Sequence, residues 1–227
     1  MSIRVVGLSL LSVFFLLSAP CFSADEEPGQ ELPTKSPDGK WLIRMPNDAE
    51  REKLKEDEVP KAGLFELPSE RRVECPHLDS MEGFVDSVRV VWAKDSAHVA
   101  FNYRAGGRYC STDLCELKDG KITGLPSPED MLFGFLNQVK ATQIKEMGLK
   151  PGVYQRRIHD EVTTRRWIDA STVEVDAHSI RTVPVKANDK DEDPEIVDVE
   201  AKFRFTLKLD PKKKEWKILK SEKLKNE

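Results

Sequence analysis

Ser87-Val-Arg-Val-Val-Trp92-Ala-Lys-Asp-Ser-Ala-His98-Val-Ala-Phe101-Asn-Tyr-Arg-Ala-Gly106-Gly107-Arg-Tyr-Cys110-Ser-Thr-Asp-Leu-Cys115-Glu-Leu-Lys-Asp-Gly120 is the stretch whose reading decides the fold. Val88, Val90 and Trp92 share one face of an extended segment. After a polar turn, Lys94 to Ser96, the pattern repeats in Val99, Phe101 and Tyr103. Gly106-Gly107 then reverses the chain into a third segment that ends at Asp119-Gly120. Successive side chains of a strand point to opposite faces, so apolar residues spaced by two and broken by turn formers predict an antiparallel meander.

Alternation recurs on both sides of it. Trp41 to Met45 and Lys121 to Leu125 read as short strands, and Thr163 to Ala170 and Thr172 to Ala177 as longer ones. In Val197 to Leu209, Val197, Val199, Ala201, Phe203, Phe205, Leu207 and Leu209 take one face. Asp198, Glu200, Lys202, Arg204, Thr206 and Lys208 take the other, so this strand belongs to an antiparallel sheet with one wet side. Asp210-Pro211 turns it into Glu215 to Lys220, with Trp216 and Ile218 inward. Between the strand regions lies one helix. Ser127 is its N-cap, Pro128 its first residue, and Glu129 and Asp130 complement the dipole. Leu132, Phe135, Leu136, Val139, Ile144 and Met147 make its apolar stripe, and Gly148 with Pro151 ends it. Asn47 to Glu58 reads as a solvated charged excursion, with Leu54 nearly its only apolar residue.

The expected fold class is therefore α+β: a mainly antiparallel β-sheet of roughly six to nine strands, meander and hairpins, with one amphipathic helix packed on it. The expected organisation is a signal peptide over 1–23, a disordered lead-in over 24–35, a β-meander region over 36–126, and a helix with antiparallel hairpins over 127–227. The last two regions are able to share one core.

Ser36-Pro37-Asp38-Gly39-Lys40-Trp41, and Trp92-Ala93-Lys94-Asp95-Ser96 with Val99-Ala100-Phe101, resemble the blade repeat of TolB-type (WD40-like) β-propellers. In that family such a turn joins two strands and a third strand ends in Asp-Gly, as Asp113 to Gly120 does here. Asp38 and Asp95 are 57 positions apart, whereas such blades recur at about 40–45 residues. A closed propeller needs at least about four blades, and no further copy is present in the chain. The resemblance implies blade-like turns and a protein-docking platform rather than a closed propeller.

The address is written at the start. Val5 to Leu17 is almost wholly apolar, and Cys21 and Ser23 are small residues before an expected cleavage after Ser23. This is the pattern of a secretory signal peptide, and the run is shorter than the ~20 residues of a membrane span. The expected location is secreted or periplasmic, in a bacterial envelope setting, with no transmembrane span after cleavage. The full chain carries a formal net charge of −4, and loss of Arg4 with the leader makes it one unit more acidic. That balance argues against nucleic acid as the main partner, since phosphate binding needs a basic surface.

Cys75, Cys110 and Cys115 remain after cleavage and are disulfide candidates in an oxidising compartment. Cys110 and Cys115 point to opposite faces of a regular strand, so a bridge from Cys75 to one of them is as open as a bridge between them. Cys75, His77, Cys110 and Cys115 match no zinc spacing. Asp189, Asp191 and Asp193 take alternate positions of an EF-hand-like calcium loop that runs to Glu200. Pro194 occupies the position where that loop needs glycine, and the flanks read as strands. The histidines His77, His98, His159 and His178 are scattered, and His159-Asp160-Glu161 is the nearest His–acid grouping. No nucleophile elbow, Cys–His signature or phosphate loop is present in the sequence. The expected function is an exported, non-enzymatic binding or interaction protein, partnered by another exported or envelope protein. The alternatives are an exported hydrolase built on a non-local acid/His site and a calcium-stabilised structural protein.

Overall fold

The computed structural model describes residues 29–55, 58–80, 87–149, 155–184 and 195–225. The expected signal peptide and the calcium candidates Asp189, Asp191 and Asp193 lie outside them. The meander is present as β5 (Arg89–Trp92), β6 (His98–Gly106), β7 (Tyr109–Lys118) and β8 (Lys121–Gly124), each pairing antiparallel with the next. Its turns follow from their residues. Asp95 Oδ1 accepts from the N–H groups of Ala97 and His98, and Asp119 and Gly120 both take positive φ between β7 and β8.

Before it runs a second, smaller sheet, β1 (Thr34–Lys35), β2 (Trp41–Arg44), β3 (Gly63–Glu66) and β4 (Arg71–Val73), also antiparallel throughout. In the described part of the expected lead-in, Gln30 bridges Val90 at the edge of β5 and Thr34–Lys35 form β1. The Ser36–Lys40 and Trp92–Ser96 turns touch: the Asp38 N–H donates to Ser96 Oγ at 3.0 Å.

The spacing by two explains how both faces of the meander are used. Val88, Val90, Val99, Phe101, Cys115 and Leu117 pack on Ile43, Leu64 and Val73 of the small sheet. Val91, Ala93, Ala100 and Leu114 face the opposite way into a second core. That core belongs to the C-terminal half: β9 (Arg156–Asp169), β10 (Thr172–Pro184), β11 (Ile196–Asp210) and β12 (Glu215–Lys223) form an antiparallel run. β9 joins the meander by parallel pairing of Tyr109–Cys110 with Asp160–Glu161, completing an eight-stranded sheet. Two sheets thus replace the single one expected, and the meander and the hairpins share both a sheet and a core.

Where β9 leaves β7, a side chain substitutes for the ladder. Buried Asn102 donates to the Thr164 carbonyl and accepts from the Thr164 N–H, both at 2.8 Å. The Trp167 indole donates to the Val91 carbonyl nearby.

Three helices are present among the described residues rather than one. α1 (Asp48–Arg51) is a single turn held by an Asn47–Glu50 capping box, with none of its residues buried, inside the segment read as a solvated charged excursion. α2 (Pro76–Ser80) places Leu78 in the first core. α3 (Glu129–Glu146) lies on β10 and β11 and buries Leu132, Leu136 and Ile144. Its cap differs from the expectation: Pro128 is the N-cap, and Ser127 Oγ accepts from the Glu129 N–H one position earlier. Met147 ends up exposed, while Lys140 is buried within the helix's inner face. No helix among the described residues is long and apolar enough to cross a membrane.

Candidate functional site

β9, β10 and β11 present two different faces at the same level of the sheet. On the face under α3, Lys140 donates to Ser179 Oγ, and Ser179 Oγ donates to Asp160 Oδ1 at 2.7 Å. Arg181 closes on Asp160 with two bonds, 2.7 Å to Oδ1 and 3.0 Å to Oδ2. Lys140, Ser179 and Asp160 are all buried, with Ser179 wholly inaccessible. Burial, helped by repulsion from Arg181, brings the Lys140 amine down to about 8, with Asp160 opposing the shift. A serine beside a lysine of lowered pKa has the composition of a nucleophile pair. Here the hydroxyl is sealed from any substrate and its proton is committed to Asp160, so the chain is a polar staple tying α3, β9 and β10 together.

One residue along each strand, the side chains turn to the open face. Glu161 and His178 are direct cross-strand partners, and His159 and Glu200 both flank Ile180 in the next row. Between the His159–Ile180 and Arg157–Arg181 pairs, Ile158 has no partner, a β-bulge immediately before His159. Bulges bend a strand and re-aim its side chains. The result is a compact group. His159 Nε2 lies 3.1 Å from Glu161 Oε2, His178 Nε2 lies 2.6 Å from Glu200 Oε1, and the two rings meet edge to face at 5.4 Å. His159, Glu161 and His178 each offer a ligand atom, all within 4.8 Å of one another and all partly exposed. Burial holds His178 below the ordinary imidazole value despite the attraction of Glu200. Around the group the face is charged: Arg204 grips Asp176 with two bonds, Arg165 adds a third, and Thr182 donates to Asp198.

Beside it, the end of α3 meets the part of β11 that β12 leaves unpaired. Gln143 donates to the Glu200 carbonyl at 2.8 Å. A cleft of about 410 Å³ opens there, lined by Gln143, Glu146, Met147, Asp198 and Glu200.

The other sequence candidates fall elsewhere. Cys75 and Cys115 are free, buried thiols in the first core, so neither forms the bridge open to it, whereas the third candidate, Cys110, is disulfide-bonded. Burial pushes the Cys75 thiol up to about 11 and Cys115 higher still. His77 pairs with Asp113 at 3.0 Å, and His98 with Asp95 at 2.9 Å within its own turn. His159 finds its acid in Glu161, two residues on and therefore on the same face, while Asp160 points to the staple. Glu200 as the partner of His178, and Lys140 in the core, have no local signal in the sequence: the first depends on strand register, and the second sits within an apolar stripe.

No protein-family model matches the chain, and comparison with the curated proteins and with the solved structures likewise finds no match.

Proposed function

We propose that this chain is an exported, non-enzymatic binding protein that engages its partner, another exported or envelope protein, through the polar face of β9, β10 and β11. The observation that carries the reading is the position of His159, Glu161, His178 and Glu200 on an open, charged sheet face. A hydrolase built on His159 calls for acids converging on it in a recess, and His159 is not among the residues lining the acidic cleft beside Glu200. The other reactive grouping, Lys140–Ser179–Asp160, is inaccessible. The two stacked four-stranded meanders, with their blade-like turns in contact at Asp38 and Ser96, fit a docking platform. The Met1 to Ser23 pattern supports export.

The test is amine-directed cross-linking of the tagged full-length protein in its native host, followed by peptide mapping of the adducts. Lys202, beside His178 in register, is the reporter. The expected result is a reproducible protein adduct at Lys202 that is lost in Arg204→Glu. Recovery of the processed chain without adducts, together with hydrolytic turnover that His159→Ala abolishes, overturns the reading.

A further inference from the structure

We propose that His159, Glu161 and His178 form a binding site for a divalent late first-row transition ion of the zinc, nickel and copper class, with Glu200 as the residue that positions His178. The inference rests on the reading of the open face as the binding face, and names the ligand that face takes.

The donor set decides the class of ion. Two imidazoles with one carboxylate suit borderline cations, whereas calcium and magnesium prefer oxygen shells. The geometry is close to what such an ion needs. Bonds of about 2.1 Å put neighbouring ligand atoms roughly 3–3.5 Å apart, and the three residues already offer donor atoms within 4.8 Å of one another, so side-chain rotation alone closes the set. The backbone beneath is fixed, because the Lys140–Ser179–Asp160–Arg181 staple locks the same two strands one residue out of phase.

The tautomers follow from the contacts. A neutral ring nitrogen that meets a carboxylate at 2.6 Å must be the N–H, so His178 gives its Nε2 proton to Glu200 and keeps the lone pair on Nδ1. A carboxylate holding the far N–H of a ligand imidazole fixes the ring and raises its basicity. His159 likewise donates Nε2–H to Glu161 without metal. Metal capture exchanges that hydrogen bond for two metal bonds, and the ring proton moves to Nδ1 through solvent. The remaining positions of the shell open outward from the sheet, where water or a partner's donor group completes them.

Isothermal titration of the full chain with zinc chloride, with calcium chloride as control, tests the site. The expected result is one saturable zinc site and no calcium response. His178→Ala and Glu161→Gln each weaken zinc by at least about a hundredfold, and Glu200→Gln by about ten- to a hundredfold with the metal-free melting temperature unchanged. Cobalt(II) in the same site gives visible ligand-field bands that vanish in His159→Ala, a readout that a merely structural role of these side chains does not produce. Saturable zinc binding unaltered in the His159→Ala, His178→Ala double variant overturns the inference, as does its absence up to about 1 mM zinc in the folded wild type. If zinc fails to bind while the Lys202 cross-link persists, the metal is wrong and the binding face stands. If zinc binds and the cross-link is absent, the partner is wrong and the metal stands.

Discussion

Replacing Lys140 by methionine tests the rigid base beneath the candidate site. Lys140 lies at about 8 in the folded protein against an ordinary value of 10.5. The unfolded chain therefore holds the lysine proton more tightly than the native chain does. At neutral pH both states are protonated, and burial of the charge costs roughly 3 kcal/mol relative to strongly alkaline solution. That cost is relieved as pH climbs through the interval between the two values, so this group makes stability rise with pH there. About 2 kcal/mol of the change falls between pH 8 and pH 10. Other groups titrate in the same window with the opposite sign. Cys75 and Cys115, with Tyr103 and Tyr109, are all raised by burial, so each lowers stability as pH passes its unfolded value. Comparing wild type with Lys140→Met cancels them. Methionine is of similar length and leaves an apolar chain in an apolar place, so loss of the bond to Ser179 offsets the whole curve without altering its slope. Urea denaturation at pH 7, 8, 9 and 10 gives the readout. The stability of Lys140→Met relative to wild type should fall by about 2 kcal/mol from pH 8 to pH 10. A difference that stays constant across that range refutes the account of a desolvated lysine beside Arg181.

Asn102→Ala removes both bonds to the Thr164 backbone and leaves a buried N–H and C=O without the partner they now have; chemical denaturation should show a loss of about 2–4 kcal/mol. Arg181→Gln takes the two-bond partner from the buried Asp160 carboxylate, leaving it the Ser179 hydroxyl and Arg157 at 3.9 Å, and should cost about 3 kcal/mol, while adding Asp160→Asn should recover much of that loss in a double-mutant cycle. Iodoacetamide at pH 8, read by peptide mass spectrometry, should leave Cys75 and Cys115 unmodified in the native protein and label both once it is unfolded, because each is buried and held as the thiol.

Local pattern carried a large part of this fold. The two faces of Val88 to Leu117 and of Val197 to Leu209 were readable because burial on a strand repeats every second residue, and the same rule delivers both cores. What stayed hidden depends on distant pairings. The eight-stranded sheet depends on β9 pairing parallel with β7, and the edge of β5 is bridged by Gln30, and neither pairing leaves a mark in either segment. At the site, alternation along the strand separates Asp160 from His159 and places Glu161, two residues on, beside it. Glu200 stood on the wet face of its strand in the sequence; only the Ile180–Glu200 register brings it to His178. Lys140 falls between Leu136 and Ile144 on a stripe otherwise apolar, and its burial becomes intelligible once Ser179 and Asp160 lie beneath it.

The most direct measurement is anomalous diffraction at the zinc edge from crystals of the full chain grown with zinc chloride. The account predicts a peak bounded by His159, Glu161 and His178, with Glu200 retained on the far nitrogen of His178. Ordered side chains in those positions with no peak between them, or zinc held only by other surface groups, would contradict it.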